Sequence, residues 1–182
     1  PVVTAVVCPY SDDALEGAVT AAKKGLITPI LVGNRNKIAA AAKSTGCDIE
    51  GIEIVEAEGE EDAARTACRL VAEDKAGSVM KGHLHTETFL KAILSSSTGL
   101  KGERRVSHVF VLDTPGLDHL LLVTDAAVNI APSLAAKRDI VQNAIDLARA
   151  LGIGEPRAAI LSAVETVNPA LASTIDAAAL SK

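Results

Sequence analysis

The chain has 182 residues, 48% of them hydrophobic and 23% charged, enough for one large or two small domains whose core needs neither a disulfide nor a metal. Its 23 acidic residues outnumber 18 basic ones, for a formal net charge of -5, and two Phe, one Tyr and no Trp leave almost no surface on which bases could stack, so no nucleic-acid partner is expected. Cys8, Cys47 and Cys68 form no C-x-x-C pair, no apolar run nears the roughly 20 residues of a membrane span, and "PVVTAVVCPYSDD" lacks the charged head and cleavage site of a signal peptide. The expectation is a cytoplasmic protein with no membrane partner.

"VVTAVV" opens the chain as a short β-rich run, and "SDDALEGAVTAAKK" follows with caps at Ser11 or Asp12 and a stop at Gly25. "TPILVG" reads as a second buried strand, "NRNKIAAAAKSTG" as a helix closed by Gly46, and "GIEIVEA" as a third strand. "EEDAARTACRLVAEDKAG" continues the alternation as a helix stopped by Gly77, followed by a short strand "SVM" and a helix from Thr86 to Leu94. Strand after helix in this order is the signature of a parallel sheet covered on both faces.

"SSSTGLKGERR", rich in Ser, Gly and basic residues, marks a domain boundary, so the domains are placed at 1–100 and 101–182. "VSHVFVLDTPGLDHLLLVTD" reads as two antiparallel strands around a Pro-Gly turn, with His108 in a strand and His119 in the turn. "SLAAKRDIVQNAIDLARALG" is a long helix presenting Leu134, Ile140, Val141, Ala144, Ile145, Ala148 and Leu151 on one face, with Gly152 as its stop. "RAAILSAV" is expected to be the next strand, and "STIDAAALSK" a helix opened by a capping box from Ser173 to Asp176. Two helices and a few strands make a thin core, so the second domain reads as incomplete, with a C-terminal part missing.

The chemistry-bearing stretch is "MKGHLHTETFLKAIL". A glycine after a strand lets backbone approach a ligand, and the first turn of the next helix offers free N–H groups and a positive dipole end suited to phosphate. Lys81 and Lys91 add charge, unless they are ordinary solvated lysines. His83 and His85, on one side of an extended strand, admit a metal reading, but H-x-H alone lacks the further ligands such a site needs. "DTPG" at 113 to 116 imitates a magnesium-contacting motif, yet there is no G-x-x-x-x-G-K-S/T loop, so it is turn chemistry; the lack of G-x-G-x-x-G disfavours a conventional nicotinamide site. Asp125 and Asn129 in "TDAAVNIAP", and Ser162, Glu165 and Thr166 in "SAVETVNP", stand just past strand-like runs. They line a ligand crevice or, in the case of Asp125, cap the next turn.

Together, "MKGHLHTETFLKAIL", "SHVFVLDTPG", "LLVTDAAVNIAPSLAAKRDIVQNAIDLARALGI" and "PRAAILSAVETVNPALASTIDAAALSK" closely resemble the phosphate acetyltransferase and phosphate butyryltransferase family, weakly before Met80 and strongly after it. The resemblance implies an α/β fold of two three-layer α/β/α domains similar to isocitrate and isopropylmalate dehydrogenases, with the active site in the cleft between them. It implies a homodimer paired through the second domain. The implied reaction interconverts acyl phosphate plus coenzyme A with acyl-CoA plus phosphate, with coenzyme A as substrate and no cofactor or metal.

In that reaction the CoA thiolate attacks the acyl carbonyl directly, which calls for a base, oxyanion donors and cations for the departing phosphate. Lys91 falls where acetyltransferase relatives carry an arginine that handles the phosphoryl group; lysine keeps the charge and loses the bidentate fork. Lys81, Gly82 and Ser107 are the other positions placed on the phosphate side, and Asp125, Asn129, Ser162 and Glu165 match positions lining the cleft. The family's Ser-Arg motif and thiol-activating aspartate lie in a C-terminal segment that this chain ends before, so no catalytic base is named and little or no acyl transfer is expected from it alone. Two other classes stay open: a non-catalytic module binding CoA or acyl phosphate, and a metal-dependent dehydrogenase-like relative using His83 and His85. Acetyl and butyryl pockets differ by about two methylenes, roughly 1.6 kcal/mol of burial, which the sequence does not resolve.

Overall fold

The computed structural model describes residues 1–98, 100 and 102–181, and divides into two compact units, Pro1–Gly102 and Glu103–Lys182. Lys101, where the second domain is expected to begin, lies outside the described residues.

The first unit is built on a parallel sheet of β1 (Val2–Val7), β2 (Ile27–Val32), β3 (Glu53–Val55) and β4 (Ser78–Lys81) in the order β3-β2-β1-β4. Helices α1 (Asp12–Lys23) and α2 (Arg35–Thr45) connect the first three strands, α3 (Gly59–Ala72) crosses back to β4, and α4 (Thr86–Leu94) follows. The two-residue period of a strand sends alternate side chains to opposite faces. Ala5, Val7, Ile30 and Val32 therefore join Ala63, Ala64, Ala67 and Cys68 of α3 and Ala92 of α4 in one core layer. Val6 and Leu31 join Leu15, Ala18, Val19, Ile38, Ala41 and Ala42 of α1 and α2 in the other. The reversal of direction after β3 makes the edge between β1 and β4 a topological switch point, where α/β sheets open a crevice at their carboxyl ends.

Local caps follow the sequence closely at two of these helices. Ser11 accepts from Ala14 N at the start of α1, Asn34 from Lys37 N at the start of α2, and Gly46 closes α2 in the left-handed region at φ 67°. The exception is α3, which ends at Ala72, ahead of Gly77. Asp74 takes the left-handed conformation (φ 56°), turning Lys75 and Ala76 N–H onto Leu70 O at 2.9 and 3.1 Å, so a short polar side chain does what glycine usually does. Gly77 instead begins the approach to β4, donating to Val3 O at 2.8 Å.

The second unit holds an antiparallel pair, β5 (Val109–Leu112) and β6 (Leu121–Thr124), with α5 (Leu134–Ala150) and α6 (Ala172–Leu180). The Pro-Gly turn between the strands is as read: Leu117 N donates to Thr114 O at 3.1 Å, with Gly116 at φ 90°. A two-stranded ribbon buries little. Phe110, Leu112, Leu121 and Val123 are all exposed, so one face of the ribbon is open, while Val109, Leu122 and Thr124 on the other are half-buried. On α5 the expected stripe narrows: Ala136, Ile140 and Ala148 are buried, while Leu134 and Leu151 at its ends are exposed.

Two expectations fail here. "RAAILSAV" forms no strand, because extended backbone needs a neighbour for its ladder and the ribbon's two strands pair only with each other among the described residues. No capping box opens α6: its N-cap is Leu171, with no side-chain cap bond, and Ser173 already lies inside the helix. Asp176 is drawn instead to Lys137 of α5, Nζ to Oδ2 at 2.7 Å, in a pair less than a quarter exposed on each side. A tertiary ion pair has outcompeted the local cap.

Candidate functional site

The eight sequence-derived positions fall into three places. In the first unit, the carboxyl end of β4 carries Lys81, Gly82, His83 and His85 into α4. Gly82 N–H donates to Val7 O at 2.9 Å and His83 N–H to Cys8 O at 2.8 Å, which extends the β1–β4 ladder past the strand itself. A Cβ at Gly82 would lie 2.7 Å from Cys8 O and closer still to Val7 O. The close approach this glycine permits is therefore to the chain's own backbone, and not only to a ligand. Leu84 is buried in the core and pins the turn, while His83 and His85 are exposed.

His83 and His85 do not share a strand face, because β4 ends at Lys81 and His85 is the N-cap of α4. Among the described residues no group of three or more His, Cys, Asp or Glu side chains is arranged to hold a metal ion. Glu60, in the first turn of α3, accepts from His85 N at 3.1 Å and so brings a carboxylate to the start of α4. Sequence reading missed that contact, since it joins residues 25 apart on two helices. Lys81 is exposed, with Nζ 3.4 Å from Gly82 O. Lys91 is exposed in the last turn of α4, roughly 7.5 Å along the axis from Thr86 and about 140° around it, where a cation suits the carboxyl end of the dipole.

The second place is a polar network at the edge of the β5–β6 ribbon, and it gathers Ser107, Asp125 and Asn129. Asp125 sits just after β6 and its carboxylate accepts from the backbone N–H of Ala127, Val128, Asn129 and His108 at 3.1 to 3.3 Å, and from Asn129 Nδ2. Desolvation pushes its carboxyl up, but the bonds from the Asn129 side chain and from the Val128, Ala127 and His108 backbone outweigh it and hold the group below its ordinary value. The capping reading of Asp125 is met: its carboxylate caps the turn that carries Asn129.

Asn129 Nδ2 also donates to Val106 O at 3.0 Å, and its Oδ1 accepts from Arg105 Nε at 2.6 Å. Asn143 of α5 donates to Arg105 O at 2.8 Å and to Ser107 Oγ at 2.9 Å, while Asp139 of the same helix accepts from Arg105 N at 3.2 Å. Arg105 and Asn143 are the members that sequence reading missed. The signal was a basic pair, "RR", ahead of the ribbon, but which arginine is used depends on α5: Arg104 is paired with Asp146 at 2.7 Å, while Arg105 has no ion pair among the described residues.

The third place holds Ser162 and Glu165. Ser162 shares a hydrogen bond with Ser173 of α6 at 2.7 Å, and both Ser162 and Glu165 line a cavity of about 480 Å³ with Thr174, Ala178 and Ser181. Asp125 and Asn129 do not line that cavity, so the two polar stretches past the strand-like runs are held by different contacts. The thiols of Cys8 and Cys68 are buried, and burial pushes both up, as expected of core cysteines rather than nucleophiles.

Against known proteins, residues 4–69 and 60–182 match the family described as phosphate acetyl/butaryl transferase. The chain is 52% identical over 182 residues to the phosphate acetyltransferase of Rhizobium meliloti, covering all of this chain and 58% of that protein. It is 42% identical over 178 residues to the phosphate butyryltransferase of Clostridium acetobutylicum, covering 98% of this chain and 59% of that one. A branched-chain phosphotransacylase from Enterococcus faecalis V583 superposes with a TM-score of 0.82 at 29% identity, over 98% of this chain and 62% of that structure. The chain spans a little over half the length of these relatives. With the family model matched almost from end to end, this chain belongs to the phosphate acetyl/butyryltransferase family.

Proposed function

We propose that the protein serves acyl transfer between phosphate and coenzyme A, acyl-CoA plus phosphate giving CoA plus acyl phosphate, with an acetyl or butyryl group. The observation that carries this reading is the family match over residues 4–69 and 60–182. The wider organisation follows the same reading: two three-layer α/β/α domains of the isocitrate dehydrogenase type, the second of them partial in this chain, a homodimer, and a cytoplasmic setting. Among the described residues no helix is long and apolar enough to cross a membrane.

The chemistry divides between the units. The turn after β4, with Lys81, Gly82 and Lys91, is proposed to meet the phosphoryl side of the substrates, and Ser107, Asp125 and Asn129 to form polar lining in the second unit. Ser162 and Glu165 are proposed as lining of a neighbouring subsite. No base for the thiol is assigned within the chain, and 182 residues acting alone are proposed to be close to inactive. The thiolate must form before it attacks the carbonyl, so the reaction requires a group placed to take that proton.

The test is CoA-dependent consumption of acetyl and butyryl phosphate, followed through thioester absorbance. Saturable CoA binding by the 182 residues is expected, with turnover at an enzymatic rate only in the longest reading frame that contains them. Absence of turnover there would sink the acyl-transfer reading in favour of a binding module. Enzyme-like turnover by the 182 residues alone would refute the proposed inactivity.

A further inference from the structure

The network around Arg105 holds a cation in place without neutralising it. Three bonds fix the residue: its N–H to Asp139 Oδ2 at 3.2 Å, its carbonyl from Asn143 at 2.8 Å, and its Nε to Asn129 Oδ1 at 2.6 Å. The orientation of the Asn129 amide is itself determined, because Nδ2 faces two acceptors, Val106 O and Asp125 Oδ2, which leaves Oδ1 for the guanidinium. Asp125, Asn129 and Arg105 thus form a relay in which the carboxylate orients an amide and the neutral amide oxygen holds the arginine.

The charges around it are otherwise matched. Arg104 pairs with Asp146, and Arg138 with Asp139, whose other oxygen takes the Arg105 backbone N–H. Among the described residues Nη1 and Nη2 of Arg105 make no hydrogen bond and no ion pair, and the side chain is exposed. A guanidinium with its Nε occupied and both terminal nitrogens open presents a planar fork, the geometry that matches two oxygens of a phosphate. Holding it beforehand also reduces the rotamer freedom lost on binding.

We infer that Arg105 is an anion-binding residue for a phosphate-class oxyanion, aimed by the Asp125–Asn129 relay. The inference rests on the acyl-transfer reading only for the source of that group, which is the transferred phosphate or a phosphate of coenzyme A. One neighbour sharpens it: the Ser107 hydroxyl, held by Asn143 at 2.9 Å, lies two residues on.

The experiment titrates the protein with inorganic phosphate, coenzyme A and, as a phosphate-free control, pantetheine, in wild type, Arg105→Gln, Arg105→Lys, Asn129→Ala and Arg104→Gln. Arg105→Gln is expected to weaken the ligand that uses this residue by about tenfold or more, with Arg105→Lys intermediate and Arg104→Gln within about twofold of wild type. Pantetheine binding is expected to be the same in all. Asn129→Ala is expected to lose part of the affinity and to broaden the Arg105 Nε–H resonance, identified by its absence from Arg105→Lys, at unchanged circular dichroism. Loss on inorganic phosphate assigns the transferred group, and loss on coenzyme A alone assigns the cofactor-like end of that substrate; both support the inference. Equal affinities of wild type and Arg105→Gln for both ligands overturn it. In the longest reading frame that contains these residues, acyl transfer that survives Arg105→Gln unchanged in KM and kcat would remove this inference and leave the proposed function standing, whereas Arg105-dependent phosphate binding without any acyl transfer there would do the reverse.

Discussion

Replacing Gly82 by alanine isolates one contact at the junction of β1 and β4. The φ of this glycine is ordinary, so the added methyl meets no backbone strain, and at a compatible site Gly→Ala would stabilise by about 0.4–1 kcal/mol through the unfolded chain. Here the methyl would stand 2.7 Å from Cys8 O and nearer to Val7 O, both backbone atoms at the end of the central strand. Relief requires the turn to move by roughly 1 Å, an overpacking cost of about 1–3 kcal/mol. That movement stretches the bonds from Gly82 N at 2.9 Å and His83 N at 2.8 Å, worth about 1 kcal/mol each. Set against the unfolded-state gain, the expected net loss is about 2–3 kcal/mol. Urea unfolding measures it as a lower midpoint at unchanged slope, and hydrogen exchange at Gly82 and His83 should quicken more than at the β2–β3 edge. A change of less than about 0.5 kcal/mol would show that the turn accommodates a methyl group and that the glycine is kept for an incoming ligand instead.

Asp125 should make stability depend on acid. Its folded value is depressed, so its contribution is full above the ordinary carboxylate value of 3.8 and is lost as pH falls through the folded value. Asp125→Asn is expected to cost about 2 kcal/mol at pH 7, and the gap to wild type should narrow only as pH falls below 3.8; a gap that stays constant with pH would refute the carboxylate's role. Tyr10, the one tyrosine, accepts from Asn34 N at 2.7 Å, and desolvation first, against that bond, pushes its hydroxyl up to about 12. Its ultraviolet titration should therefore fall near pH 12, and stability should decline as pH rises from 10, where the unfolded tyrosine ionises, through the folded value. Tyr10→Phe should cost about 1–2 kcal/mol by leaving the N–H of Asn34, the N-cap of α2, short of an acceptor, read as a lower urea midpoint at neutral pH.

Much of the first unit was legible along the chain because its rules are local. The apolar β-rich runs "VVTAVV" and "TPILVG", the Ser and Asn ahead of α1 and α2 and a left-handed glycine after α2 each act over a few residues, and the structure keeps them. The turn after β4 was visible as a glycine following a strand, as was the helix Thr86–Leu94 that continues it. Where a residue had a choice of partner, the chain alone did not decide. Asp74 ended α3 in place of Gly77, Lys137 drew Asp176 away from a cap, and "RAAILSAV" stayed irregular for want of a neighbouring strand.

The candidate site divides in the same way. Composition and motif determined the residue types that could meet a phosphate and the family to which they belong, since charge, hydroxyl groups and glycine are read from the chain directly. Tertiary structure alone decided which of two adjacent arginines is neutralised and which is held open. That choice depends on where α5 places Asp146, Asp139 and Asn143, residues 34 to 42 positions further along the chain. A carboxylate opposite one guanidinium and an amide oxygen opposite the other differ by a full charge, and only the packing of α5 sets them there.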